Sequence, residues 1–252
     1  MSPDASGSST APATTEATTL STMPLMEHLR ELRGRLMWSV GTVMVGMIIG
    51  WFAAQPVIDA LTSMCTVCDR GFIAVRVLET LVTKLRVAFI VGLAFAMPMV
   101  LYQIVAFVLP ALHRHEKRYL WLFLPGASLL FIAGMAFGFT FVVPRTVNFL
   151  VGFLEGTENL EVQPRIDDYV SFMTNLVLVI GLAFQTPLVV LLLTKLRIVS
   201  AQTLGRYRRH AVLVIAVAAA VLTPTPDPFT MFMVMGPMYI LFELGILLSR
   251  FL

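Results

Sequence analysis

Six stretches of this chain contain no Asp, Glu, Lys or Arg: residues 36–58, 87–113, 119–144, 169–194, 210–226 and 228–242. No other feature restricts the fold as much. A helix crossing a bilayer needs about 20 residues, and the first four stretches meet that length. The last two have only about 15–17 residues. At 1.5 Å rise each covers roughly 25 Å or less, short of a ~30 Å hydrocarbon core. Short fifth and sixth helices are therefore expected, with Asp227 in an outside hairpin between them. Glu243 belongs to the inner part of the sixth, which then runs on to about Ser249. Four spans plus one re-entrant hairpin is the alternative count. Composition agrees with a membrane class: 58% of residues are hydrophobic and 13% charged, against about 25% charged in soluble domains. Mean hydropathy is +0.84. The expected fold is all-α: a polytopic six-span membrane domain over residues 23–252, with spans near 36–58, 87–110, 119–144, 169–194, 210–226 and 228–249.

The distribution of Lys and Arg sets the orientation. With the N-terminus inside, inner segments hold twelve cationic residues, among them Arg30, Arg33, Arg35, Arg114, Lys117, Arg118, Lys195, Arg197 and Arg250, and outer segments hold six. Nine acids, including Glu79, Asp167, Asp168 and Asp227, fall outside. Both termini are thus cytoplasmic, with outer loops near residues 59–84 and 145–168. The net charge of +3 follows from this topology and does not indicate nucleic-acid binding. No P-loop, dinucleotide fingerprint, HExxH pair or zinc ribbon occurs. Neither cofactor nor metal is expected, and no internal repeat is visible.

Residues 1–22 are rich in Ser, Thr, Ala and Pro. They bury too little apolar area to order and read as a disordered cytoplasmic tail. Residues 24–36 place Leu25, Leu29, Leu32 and Leu36 on one helical stripe, as an amphipathic helix on the membrane surface would. Glu31 and Arg35 stand at i, i+4 and can pair. Gly46-x-x-x-Gly50 and Gly134-x-x-x-Gly138 provide small-residue faces for close helix packing. Pro98 and Pro187 lie inside spans and should bend them, making the bundle concave. Gln185 is the deepest polar residue of the fourth span. It needs a protein or water partner, which could be a neighbouring helix, a substrate or a partner protein. Cys65 and Cys68 form an outer CxxC, either a structural disulfide or two free thiols. His28, His113, His115 and His210 fall near the inner interface without metal-site spacing. Arg208-Arg209 sits in a short inside loop and follows from the positive-inside bias.

Residues 98–118 concentrate the chemistry. Membrane-grade sequence there ends in a basic cluster, Arg114, Lys117 and Arg118, enclosing one acid, Glu116. Glu31 shares its face of the membrane. On residues alone, both could be surface ion pairs worth about 0–1 kcal/mol or carboxylates poised for a cationic ligand.

Two motifs weigh this choice. His28-Leu29-Arg30-Glu31-Leu32-Arg33-Gly34-Arg35-Leu36 is one. The other runs through Pro98, Leu101-Tyr102-Gln103, Ala106-Phe107, Pro110 and His115-Glu116-Lys117-Arg118. With weaker echoes at Ala183–Pro187, Leu222–Pro224, Asp227–Phe229 and Leu241–Gly245, the chain resembles TatC, the polytopic core of the twin-arginine protein translocase. It departs from the family pattern at His113, often Tyr, and at Val105, often Trp. Gln185 stands where some members have Glu, and an extra residue precedes Asp227.

The resemblance implies a non-enzymatic receptor in a bacterial or archaeal cell membrane, in preference to a thylakoid. Such proteins bind twin-arginine signal peptides of folded precursors at the cytoplasmic face. They assemble with single-span partners of the TatA and TatB type, and with further copies of themselves, for export driven by the proton-motive force. It places signal binding on Glu31, Arg33, Phe107, Pro110 and Glu116. Gln185, Thr223 and Asp227 are candidate partner or substrate contacts. Membrane lipids are the remaining expected partners. A small-solute or ion transporter is the alternative; it would call for several polar residues near mid-bilayer, where spans one to four offer mainly Gln185.

Overall fold

A computed structural model describes residues 25–65, 71–108, 114–155, 164–222 and 227–251. The tail expected over residues 1–22 lies outside them, as do Cys68, Pro110, His113 and Thr223. The described residues form helices, joined by turns and one isolated parallel bridge from Ile73 to Arg165.

Helix α1 (Leu25–Ser63) is continuous over 39 residues. The amphipathic segment is therefore not a separate surface helix, contrary to expectation. No proline interrupts the chain before Pro56, so the helix that starts at Leu25 propagates straight into the first span. Helix α2 (Glu79–Val108) returns antiparallel and runs unbroken through Pro98. The third span comprises α3 (Arg114–Phe137), a π-helical turn at Gly138–Val142 and α4 (Val143–Glu155). Pro144 explains the turn. Its ring would crowd a carbonyl four residues back in a regular helix. The wider turn relieves this, with the Val143 N–H donating to the Gly138 carbonyl.

The fourth span divides into α5 (Ile166–Ala183) and α6 (Thr186–Lys195), with Phe184 and Gln185 at the break and Pro187 at the start of α6. Of the two prolines expected to bend spans, Pro187 is the one at an interruption. Helix α6 ends in a left-handed residue, Arg197 at φ 58°, with Ile198 N–H donating to the Leu193 carbonyl at 3.1 Å. Short helix α7 (Ala201–Arg206) leads into α8 (Arg208–Leu222), and α9 (Pro228–Phe251) closes the chain.

Five segments have the length and apolarity of membrane spans: Leu29–Ser63, Glu79–Val108, Leu124–Leu150, Ile166–Lys195 and Pro228–Arg250. The 15-residue α8 stands where the short fifth span was expected, which is consistent with a count of six. Helix α9 carries Glu243 inside it and extends to 24 residues, so only α8 is short. Asp227 caps α9: its Oδ2 accepts the Thr230 N–H at 2.7 Å, and Pro228 fits the first position.

Helices α1 and α2 meet through small residues. A Cβ on Gly46 would run into the Gly92 carbonyl oxygen, and one on Gly50 into that of Ala88. Lipid tails are as apolar as leucine, so close backbone approach rather than water exclusion holds such helices. The second glycine pair serves α3 and α5. A Cβ on Gly134 would stand 2.6 Å from the Phe184 ring, and one on Gly138 3.2 Å from Ile180. The opposite face of α1 is exposed and apolar at Trp38, Met44, Ile48 and Phe52. One buried cluster joins α1, α2, α4, α5, α8 and α9 around Leu61, Val87, Met173 and Ile246. A second, nearer the inner side, joins Met97 and Leu101 of α2, Phe131 of α3 and Leu191 of α6.

Gly50→Leu should therefore cost about 1–3 kcal/mol or more, since backbone carbonyl cannot yield as a side chain does. Gly34 has open space around it, and Gly34→Ala should be neutral or stabilising by up to about 1 kcal/mol. Thermal unfolding of the detergent-solubilised variants measures both.

Candidate signal-recognition site at the inner face

The glycine contacts fix a register. Each step toward the N-terminus on α1 matches one toward the C-terminus on α2: Gly50 lies with Ala88 and Gly46 with Gly92. Continued inward, the register brings Arg35 to Gln103. Arg35 Nη1 donates to Gln103 Oε1 at 3.4 Å. The other side of the guanidinium grips Glu31, with Nη2 at 2.6 Å and Nε at 3.0 Å from the same oxygen, Oε1. Both charged side chains keep 27% of their surface exposed, whereas Gln103 is buried. One more turn of the same register sets Glu31 level with Phe107, the penultimate residue of α2, which is half-buried.

Glu31 and Phe107, two of the five expected recognition residues, thus stand at one depth on adjacent helices. Arg33 is exposed on α1. Glu116 lies in the first turn of α3, while Pro110 falls outside the described residues. Gln103, part of the second sequence motif, was not among the expected recognition residues. The available signal was a lone amide in the charge-free part of α2 from Val87 onward, one whose burial demands a partner.

The candidate partner contacts do not gather around this site. Gln185 is buried at the α5–α6 break, and its Nε2 donates to the Ala127 carbonyl of α3 at 3.0 Å, a helix–helix hydrogen bond. Asp227 caps α9 on the outer side. Cys65 is disulfide-bonded. Among the described residues no group of three His, Cys, Asp or Glu could hold a metal ion.

A second polar assembly occupies the outer end. The Glu79 carboxylate is buried, and its Oε2 accepts Val75 N–H at 3.0 Å, Arg76 N–H at 3.1 Å and Arg165 Nη2 at 3.3 Å. Asp167 Oδ1 accepts the Thr83 hydroxyl at 3.1 Å and that of Ser171 at 3.0 Å, and Arg86 donates to Ser171. Tyr169 reaches across to the Leu61 carbonyl at 3.0 Å. The Glu79 hydrogen bond and the charges of Glu79 and Asp168 hold the Arg165 guanidinium above its ordinary pKa, so it stays cationic. These contacts tie the starts of α2 and α5 together. They were not legible because charge counting reads outer acids and bases only as topology.

Three comparisons bear on the whole chain. A family model described as Sec-independent protein translocase protein (TatC) matches residues 27–237. The Sec-independent protein translocase protein TatC of Deinococcus radiodurans is 35% identical over 237 residues, covering 92% of this chain and 87% of that protein. Its counterpart in Carboxydothermus hydrogenoformans is 34% identical over 230 residues, covering 91% and 94%. A crystal structure of a twin arginine translocase receptor, TatC, superposes with a TM-score of 0.75 at 32% identity, covering 89% of this chain and 98% of that one.

Arg165→Met should destabilise the fold more than Glu79→Gln. The first leaves a buried carboxylate without its cation; the second leaves a partly exposed guanidinium that still has Asp168 at 3.7 Å. Unfolding temperatures of the two variants rank them, and the reverse order would show that Glu79 is not the costly partner.

Proposed function

The chain belongs to the TatC family of Sec-independent protein translocase proteins, and on that basis we propose that its cytoplasmic face receives the twin-arginine signal peptides of folded precursors. A translocase subunit of this family is a transport component rather than an enzyme. The solute-transporter alternative is not favoured by that membership. The observation that carries the proposal is the Glu31–Arg35 contact: the carboxylate already accepts a guanidinium, at the inner end of α1 and level with Phe107. A planar guanidinium fork suits a carboxylate better than a lysine ammonium does. An incoming arginine exchanges with Arg35, whose hydrogen bond to Gln103 gives it an alternative partner.

Glu116 supplies the second carboxylate, so two consecutive arginines each find one. Phe107 and Pro110 offer apolar area to the hydrophobic stretch that follows the arginines, and Arg33 completes the inner rim. The basic residues around Glu116 hold anionic lipid headgroups and leave the acid as the complementary spot. Gln185, Thr223 and Asp227 are candidate contacts for single-span TatA- and TatB-type partners. Assembly with them and with further copies, in the bacterial or archaeal cell membrane, precedes passage driven by the proton-motive force.

Photo-crosslinking from a reactive residue at position 116, in membranes containing a twin-arginine precursor, tests the proposal. An adduct is expected, and separate Glu31→Gln and Glu116→Gln variants, with a reporter at position 107, should weaken adduct formation about 10- to 100-fold, as loss of a charge-assisted hydrogen bond of about 1.5–3 kcal/mol implies. Normal adduct yield in both variants, with membrane insertion intact, would remove these carboxylates from recognition.

A further inference from the structure

At the inner end of the last span, one face of α9 forms a groove of about 300 Å³ with the start of α8. Its floor is apolar: Ile240, Leu244 and Leu247 repeat along α9 and stand exposed. Its inner rim is charged. Arg208 closes one side and Arg250 the cytoplasmic end. Glu243 lies between them, but both its oxygens are engaged: Arg208 Nη2 donates to Oε2 at 2.8 Å and the Tyr239 hydroxyl to Oε1 at 3.1 Å. The acid fixes Arg208 against the groove and neutralises it. Arg250 has no carboxylate partner among the described residues. Its Nη2 lies over Gly205 of α7, where a Cβ would stand 3.1 Å away.

The surrounding charge is one-sided. Residues 195–210 carry Lys195, Arg197, Arg206, Arg208 and Arg209 and no acid, and residues 240–250 add Arg250 against Glu243. A ligand for this groove needs an anion at the cytoplasmic interface and an apolar chain directed into the bilayer. The geometry points to a binding site for one anionic glycerophospholipid of the inner leaflet. Its phosphodiester oxygens accept from Arg250, and one acyl chain lies along Ile240, Leu244 and Leu247. A guanidinium presents a fork of donors to a phosphate, and the field of the neighbouring cations favours a net negative headgroup over a zwitterionic one. The site is separate from the Glu31 region and does not depend on signal-peptide binding.

The test uses the full chain with Trp38, Trp51 and Trp121 replaced by Phe and Leu247→Trp as reporter. The protein is reconstituted in phosphatidylcholine vesicles containing an equal minor share of either phosphatidylglycerol or phosphatidylcholine brominated along the acyl chain. Brominated phosphatidylglycerol should quench the reporter several-fold more strongly. Arg250→Gln should bring the two lipids level, whereas Arg209→Gln, which removes an equal charge outside the groove, should preserve the preference. Equal quenching by both lipids in the starting protein would overturn the site. So would an equal loss in both arginine variants, which would reduce the effect to surface potential. Weak quenching by both lipids that recovers when the protein is diluted in the bilayer would assign the groove to a second copy of the chain, and would likewise overturn it.

Discussion

The close approach of α1 and α2 at Gly46, Gly50 and Gly92 governs the inner face. At these positions a side chain would meet backbone, so the two helices have one workable alignment. That alignment carries Arg35 to Gln103 and Glu31 to the level of Phe107, more than two turns from the glycines. A shift by one residue along either helix would rotate the acid about 100° away and leave Gln103 buried without its guanidinium. A packing constraint in mid-membrane thus sets the geometry of a charged group at the surface. Helix α1 is otherwise exposed to lipid along much of its length, which makes the contact with α2 its principal anchor.

The two ends of the bundle use ion pairs differently. At the outer end Glu79 is buried and accepts two backbone N–H groups besides Arg165, and Asp167, Ser171 and Arg86 extend the network between α2 and α5. Three donors on Oε2 and the Arg165 charge offset the burial of this carboxylate, whose Oε1 has no hydrogen-bond partner among the described residues. At the inner end the Glu31–Arg35 pair is partly exposed and involves one helix plus a neutral amide from the next. Partly hydrated pairs exchange partners at little cost, whereas buried ones do not. The outer network therefore suits permanent bracing and the inner pair suits a site that accepts a guanidinium from elsewhere.

The all-helical class, the long apolar helices and the small-residue contacts were legible because each rests on a local pattern: charge-free length and four-residue glycine spacing. The i, i+4 pairing of Glu31 with Arg35 was legible for the same reason. The continuity of α1 was not, because an amphipathic stripe looks alike whether the helix stops at Leu36 or continues into the span. Nor was the π turn before Pro144, where the chain passes a proline by widening the helix instead of ending it. Contacts distant in sequence, Arg35 with Gln103 and Glu79 with Arg165, depend on interhelical register, which composition does not encode. Gln185 was recognisable as a residue needing a partner, but only the packing of α3 against the α5–α6 break identifies the Ala127 carbonyl as that partner.

The central claim is that Glu31 reads an arginine of a signal peptide. A double-mutant cycle tests it most directly, pairing Glu31→Gln with replacement of one or other signal arginine by glutamine and measuring precursor affinity for the reconstituted protein. Direct pairing predicts coupling of about 1–3 kcal/mol with one of the two arginines, so that the second substitution costs little once the first is made. Strictly additive losses for both arginines would contradict it and assign the charge reading to another part of the inner face.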